Sequence, residues 1–292
     1  MGDMKTSGSF HGKLLAFQRN EATGADIYSR LARSAGGRNG AVLARIARDE
    51  ARHGRQLKGY TGEAAGPNRI KASFYYWIAR LLGLTFGVKL LELQEGRDGK
   101  AYTRASSAIP ALKRIARDED RHERVLIGMI EEKKLIHVGS IVLGLNDALV
   151  EIAGTLAGLT IAFQSTRLIA AVGAIFGIAG AMSMSASEYL SKKSEGSDRT
   201  ALGASFYTGL AYVVTLVLLV FPYIVFPAKF VALVVMLVTG LLIILAYNFY
   251  LSVAKDLPFW SRFAETAILS MGVSFLSFGV GHLIRTIFGI DV

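Results

Sequence analysis

The chain has 292 residues, enough for two domains of ordinary size, and 52% of them are hydrophobic. Its 33 basic residues outnumber 23 acidic residues and give a net charge of +10, but no nucleic-acid-binding motif accompanies them, and we expect no nucleic-acid partner. The absence of cysteine excludes disulfides, iron–sulfur clusters and cysteine-ligated zinc within the chain, and it fits a reducing compartment.

The net charge lies entirely in the first half of the chain. Residues 1–134 hold 25 Lys and Arg against 15 Asp and Glu, whereas residues 135–292 hold 8 of each and most of the long apolar runs. We therefore expect two domains with these bounds. The polar N-terminus has no signal-peptide core, so the first domain is expected to be cytoplasmic and close to an anionic lipid surface.

The first half is predicted to be helical throughout. Glycine-rich segments, Gly36-Gly37 and residues 62–67, separate the helices. The predicted helices cover residues 10–34, 39–58, 71–105 and 107–134. Four helices joined by short connections favour a four-helix bundle.

One nonapeptide pattern, Arg-Ile-Ala-Arg-Asp-Glu-x-Arg-His, occurs twice, at Arg45–His53 and Arg114–His122. Each copy contains a Glu-x-x-His pair on one helix face, within an apolar stripe. The pairs are Glu50 with His53 and Glu119 with His122. A core-facing carboxylate and imidazole are costly to bury without a partner, and a metal ion is the best explanation. The flanking arginines and aspartates are interpreted as solvated ion pairs.

The other two predicted helices each carry one glutamate on an apolar stripe, with a tyrosine seven residues later. These residues are Glu21 with Tyr28 and Glu95 with Tyr102. The order of motifs along the four helices is therefore Glu, Glu-x-x-His, Glu, Glu-x-x-His. This is the ligand set of di-iron carboxylate four-helix bundles.

On these motifs, residues 10–134 resemble the ferritin-like superfamily and its rubrerythrin branch in particular. The resemblance implies a dinuclear iron site whose ligands would be Glu21, Glu50, His53, Glu95, Glu119 and His122. Glu92, one turn before Glu95, is either an additional ligand or a surface residue. Tyr28 and Tyr102 would donate hydrogen bonds to the carboxylates, or simply belong to the core. The four-cysteine rubredoxin segment of rubrerythrins is absent, so such a peroxidase would lack its built-in electron donor.

The segment 72–91 is nearly apolar enough to cross a membrane. If it did, the two halves of the metal site would lie on opposite sides of the bilayer. We expect instead an interfacial helix, with Tyr75, Tyr76 and Trp77 near headgroups and Arg80 extended toward water. A buried contact in the bundle or a dimer is the competing interpretation.

The second half is predicted to cross the membrane five times. The spans are 141–163, 168–190, 204–226, 230–252 and 265–287. With the N-terminus inside, five basic residues fall in the cytoplasmic loops between spans and three fall outside, which agrees with the positive-inside rule. We therefore expect a multi-pass protein of a prokaryotic inner or plasma membrane.

Two acidic residues, Asp147 and Glu151, lie four apart in the first span, where ionisable groups are costly and indicate function. Met184 in the second span could offer a thioether to a transition metal. The segments Gly144–Ala148 and Ala181–Met184 resemble the vacuolar iron transporter family, over residues 137–290. The resemblance implies a dimer that exchanges Fe²⁺, and often Mn²⁺, for protons, with Asp147 and Met184 on the pathway.

Two departures from the plant-type members of that family stand out. The chain has no acid two turns before Met184, where Glu151 would substitute, and no glutamate-rich domain between the second and third spans, where the first domain would substitute. The sequence thus predicts an all-α protein, a ferritin-like bundle followed by five spans, that exports iron or manganese. The alternative is a membrane-anchored di-iron ferroxidase or peroxidase; a bundle that only senses metal is a third possibility.

Overall fold

The computed structural model describes residues 8–91, 93, 109–127, 137–255 and 257–288. Within these ranges the chain forms helices and connecting turns, without a strand. The chain divides into two compact units, Met1–Glu132 and Lys133–Val292.

The first unit is built on an antiparallel pair of helices, α1 (Gly8–Ala35) and α2 (Gly37–Thr61), joined at Gly36. Two further helices pack on this pair: α3 (Arg69–Leu82) on α1, and α4 (Pro110–Ile127) on α2. The Asn68 side chain caps α3 by accepting a hydrogen bond from the Lys71 backbone N–H at 3.0 Å. A short helical stretch over residues 84–91 follows α3.

Two apolar layers enclose one polar layer in this unit. Leu14, Leu57 and Ile115 belong to the first apolar cluster. Tyr28 and Leu43 belong to the second. The glutamates and histidines of the predicted apolar stripes lie between these clusters along α1, α2 and α4. The helices therefore carry charged groups into a site from which apolar neighbours exclude water.

The third helix is not continuous as predicted over residues 71–105. It ends at Leu82, because Gly83 adopts a φ of +106°, which side chains other than glycine rarely tolerate. Residues 94–105 of that prediction lie outside the described residues. The four-helix bundle as a whole therefore stays a prediction.

The second unit contains five helices that are long and apolar enough to cross a membrane. They are α5 (Val138–Ala162), α6 (Thr166–Ser194), α7 (Asp198–Val225), α8 (Lys229–Lys255) and α9 (Phe259–Phe288). The five predicted spans are confirmed as helices, although the third and fifth helices begin six residues earlier than predicted. Large apolar side chains such as Ile175 and Phe275 point outward, as expected of an integral membrane protein.

Helix α5 lies at the centre of the second unit and packs against each of the other four. Small residues allow this. At Gly144 the α5 backbone meets the carbonyl of Thr208 on α7 so closely that a Cβ would collide with it. The predicted transport residues Asp147 and Glu151 follow on the same helix.

Candidate metal centre

Four predicted ligands from three helices converge in the first unit. Glu21 comes from α1, Glu50 and His53 from α2, and Glu119 from α4. One ligand atom of each lies within 4.8 Å of the others. Glu21, Glu50 and His53 are at least 97% buried. Three carboxylates and an imidazole in a dry site suit a hard-to-borderline divalent cation such as Fe²⁺ or Mn²⁺.

Glu119 faces both histidines of the repeat. Its Oε1 lies 3.4 Å from His53 Nδ1, and its Oε2 lies 3.8 Å from His122 Nδ1. His53 Nδ1 is also 3.2 Å from Glu21 Oε2, and His122 Nδ1 is 3.2 Å from Glu50 Oε1. Each histidine thus meets one glutamate of its own and shares Glu119. Together these side chains would hold a divalent cation.

The outer nitrogens of the histidines bind aspartates in a crossed arrangement. His53 Nε2 contacts Asp118 Oδ2 at 3.0 Å, and His122 Nε2 contacts Asp49 Oδ2 at 3.3 Å. Each aspartate belongs to the other copy of the nonapeptide. An acceptor at Nε2 holds the proton there and leaves Nδ1 free to bind metal, as carboxylate–histidine–metal triads do.

Two arginines of the repeat hold these aspartates in place. Arg52 contacts Asp49 at 2.8 Å and Asp118 at 3.0 Å. Arg121 contacts Asp118 at 3.1 Å and Asp49 at 3.6 Å. The predicted Arg–Asp ion pairs are therefore present with half-exposed arginines, and the aspartates in addition contact the buried histidines. The sequence contained a sign of this role, because the Asp and the Arg occupy the same positions in both copies of the nonapeptide.

The cluster shifts the pKa values of His53 and Glu119 in opposite directions. Burial alone would lower the pKa of His53, but polar contacts with Glu119 and Glu21, together with the charge of Glu21, raise it to about 10. Burial opposes the ionised form of Glu119, yet contacts with His122 and His53 hold its pKa below the usual value. Metal loading near neutral pH must therefore displace a proton from His53.

The cluster passes a simple test of fit for a bound metal. His122 Nδ1 is buried and makes no hydrogen bond within the described part of the protein, although two glutamates stand nearby. A buried nitrogen in this state is costly, and a cation between it and the glutamates would remove the cost. Glu50 and Glu21 would supply the charge that neutralises such a cation.

Not all predicted residues of this site are described. Glu92, Glu95 and Tyr102 lie outside the described residues, so their part of the prediction remains open. Tyr28 is completely buried in α1 and packs in the core of the unit.

The second unit places both predicted acids on α5. Asp147 is half-buried, and Glu151 is exposed in the single chain. Glu151 Oε2 accepts a hydrogen bond from the Tyr212 hydroxyl of α7 at 2.6 Å. A Cβ at Gly180 of α6 would collide with that hydroxyl, so only glycine leaves room for the pair. Nothing in the sequence indicated that Tyr212 contacts Glu151, since a tyrosine in a membrane span usually serves only to pack against its neighbours.

Further polar groups lie along the same helices. Met184 of α6 is half-buried against the core, whereas Met182 is exposed. One turn beyond Met184, the buried Glu188 accepts a hydrogen bond from Ser140 of α5 at 2.7 Å. Ser140 is seven residues before Asp147 and lies on the same face. Polar side chains thus continue from Ser140 near the start of α5 and Glu188 near the end of α6 toward Asp147 and Glu151 in the middle of α5.

Comparison with known proteins gives one family. Residues 138–202 match the VIT family. The match covers α5, α6 and the start of α7, including Asp147, Glu151 and Met184. It does not extend into the first unit. No curated protein and no solved structure matches the chain.

Proposed function

We propose that the chain is a membrane transporter of Fe²⁺, with Mn²⁺ as the alternative cargo, that exports the metal in exchange for protons. The observation that carries the proposal is the pair Asp147 and Glu151 within a span that matches the VIT family. A span that only anchors the protein would not be expected to contain acidic side chains, because burying an ionisable group in lipid is energetically costly.

The first unit would capture metal on the cytoplasmic side. In this proposal it is a ferritin-like bundle over residues 1–134, and the described ligands are Glu21, Glu50, His53, Glu119 and His122. Glu95, and Glu92 if it exchanges, would complete a dinuclear site from the third helix. The bundle would then load the transporter or sense cytosolic metal. The buried carboxylates support the capture of divalent cations.

In the membrane, metal would pass along the polar faces of α5 and α6, with Asp147, Glu151 and the Met184 thioether as successive ligands. Protonation of either acid from the far side would weaken its hold and release the ion, because only the carboxylate form binds metal. Tyr212 would keep Glu151 in position between releases. The exposed side of Glu151 favours a homodimer, in which a second copy would shield this group from lipid.

Transport of Fe²⁺ in proteoliposomes under a proton gradient tests this assignment. Asp147→Ala and Glu151→Ala should each reduce transport by about tenfold or more, because each removes a charged ligand. Glu265→Ala, an exposed acid near the start of α9, is the matched control and should transport normally. Wild-type rates in both pathway variants would refute the route.

A membrane-anchored ferroxidase or peroxidase is the second candidate, and the shared position of Glu119 between two histidines is the observation in its favour. In that case the spans would only tether the first unit. The membrane acids argue for transport over this candidate.

A further inference from the structure

Helix α3 packs on the first unit with its small residues and leaves its large ones outside. Ala72 and Ala79 are buried. Four apolar side chains on another face are exposed: Ile70 (85%), Phe74 (58%), Trp77 (59%) and Leu81 (73%). Their spacing of four, three and four residues places them in one line, called here the α3 stripe. A water-exposed helix normally shows the opposite pattern, so the α3 stripe needs an apolar partner.

The charged residues of α3 itself are all positive. Arg69, Lys71 and Arg80 are the charged residues of α3, and no acid occurs between Glu63 and Glu92. An apolar line with an aromatic residue and basic flanks complements a bilayer that contains anionic lipids. Trp77 in particular has the amphipathic ring that is enriched at headgroup depth.

A bilayer is always within reach of this helix. Ten residues, 128–137, separate Ile127 of α4 from Val138 of the first span, so these two residues are at most roughly 40 Å apart. The membrane is therefore present at high effective concentration around the first unit. A soluble partner has no such advantage.

We propose that α3 lies in the headgroup region of the protein's own membrane and inserts the α3 stripe among the lipids. Tyr75 and Tyr76 are half-buried against the core of the first unit, so they are not part of the α3 stripe, and their predicted place near the headgroups stays a prediction. Arg80 is exposed, as required for contact with lipid phosphates. The contact would hold the first unit at the membrane surface, independently of whether the protein transports metal.

Trp77 itself can report the contact, because the chain has only two tryptophans. In a Trp260→Phe variant, placed in lipid vesicles that contain phosphatidylglycerol, Trp77 would be the sole tryptophan and could be excited selectively over the tyrosines. Lipids brominated near the headgroup should then quench its emission about twofold, while aqueous iodide quenches it weakly. A matched control carries Trp77→Phe, Trp260→Phe and Tyr60→Trp, which moves the fluorophore to the exposed end of α2. The control should respond to iodide and not to brominated lipid.

A second variant tests whether the lipid contact of the α3 stripe can be lost while the first unit stays folded. Ile70→Glu with Leu81→Glu, on the Trp260→Phe background, places charges in the α3 stripe without touching the core. It should abolish lipid quenching of Trp77 and leave metal content unchanged. Strong iodide quenching of Trp77 in the parent variant would overturn the proposal. Shielding from both iodide and brominated lipid would overturn it too, in favour of a contact with a second copy.

Discussion

Asp118 allows a sharp test of the crossed arrangement in the first unit. Its Oδ2 lies 3.0 Å from His53 Nε2 and 3.0 Å from Arg52. In Asp118→Asn the side chain keeps its shape but loses its negative charge, and its amide group would turn one donor toward His53 or Arg52. The histidine should then lose the acceptor that fixes its tautomer.

The expected loss follows from the contacts. The substitution removes one charge-assisted hydrogen bond to an imidazole that is 99% buried, and such bonds contribute about 1.5–3 kcal/mol. That energy corresponds to about 10–100-fold in metal affinity, which is also the usual effect of losing a carboxylate behind a metal-bound histidine. The equivalent Asp49→Asn should act in the same direction through His122, where the contact is 3.3 Å.

The assay is an anaerobic Fe²⁺ titration against a competing chelator. The full-length protein should carry Asp147→Ala and Glu151→Ala, so that the membrane acids do not contribute. Asp120→Asn removes the same charge from an exposed position of α4 and serves as the control. If Asp118→Asn binds Fe²⁺ as tightly as Asp120→Asn, the aspartate does not position the histidine, and the reasoning fails.

Two further predictions concern pH and packing. Because the folded-state pKa of His53 is about 10 against an ordinary 6.5, its protonated form stabilises the metal-free protein fully below pH 6.5, and this contribution is lost as pH rises toward 10. For the same reason, Co²⁺ affinity of the first unit should rise by about tenfold per pH unit between pH 7 and 9, and a pH-independent titration would contradict the proton displacement. Gly180→Ala should displace Tyr212 from Glu151 and reduce transport about tenfold, whereas Gly272→Ala, with open space around it, should be neutral in the same proteoliposome assay.

Periodicity was sufficient to predict most of the helices. The five spans and the helices of the repeat follow from apolar runs and 3-4 spacing, which depend on local sequence. The break at Gly83 was missed because a single glycine does not reveal its φ, and many glycines lie inside helices.

The candidate sites likewise combine features that the sequence predicts with features that depend on how the helices pack. The repeated Glu-x-x-His pairs identified groups that do meet in space, because buried charge on a stripe demands a partner. The crossed Asp–His contacts were not predicted, since they depend on how α2 and α4 face each other. Tyr212 depends likewise on the approach of α7 to α5 at residues far apart in sequence.

The most direct test of the proposed function measures Fe²⁺ translocation and oxygen consumption together in wild-type proteoliposomes. The proposal predicts that Fe²⁺ crosses the bilayer under a pH gradient, at the same rate with and without oxygen, and that collapsing the gradient slows it. Oxidation of Fe²⁺ with oxygen consumption and no metal crossing the bilayer would contradict it, and would identify the protein as a membrane-anchored oxidase.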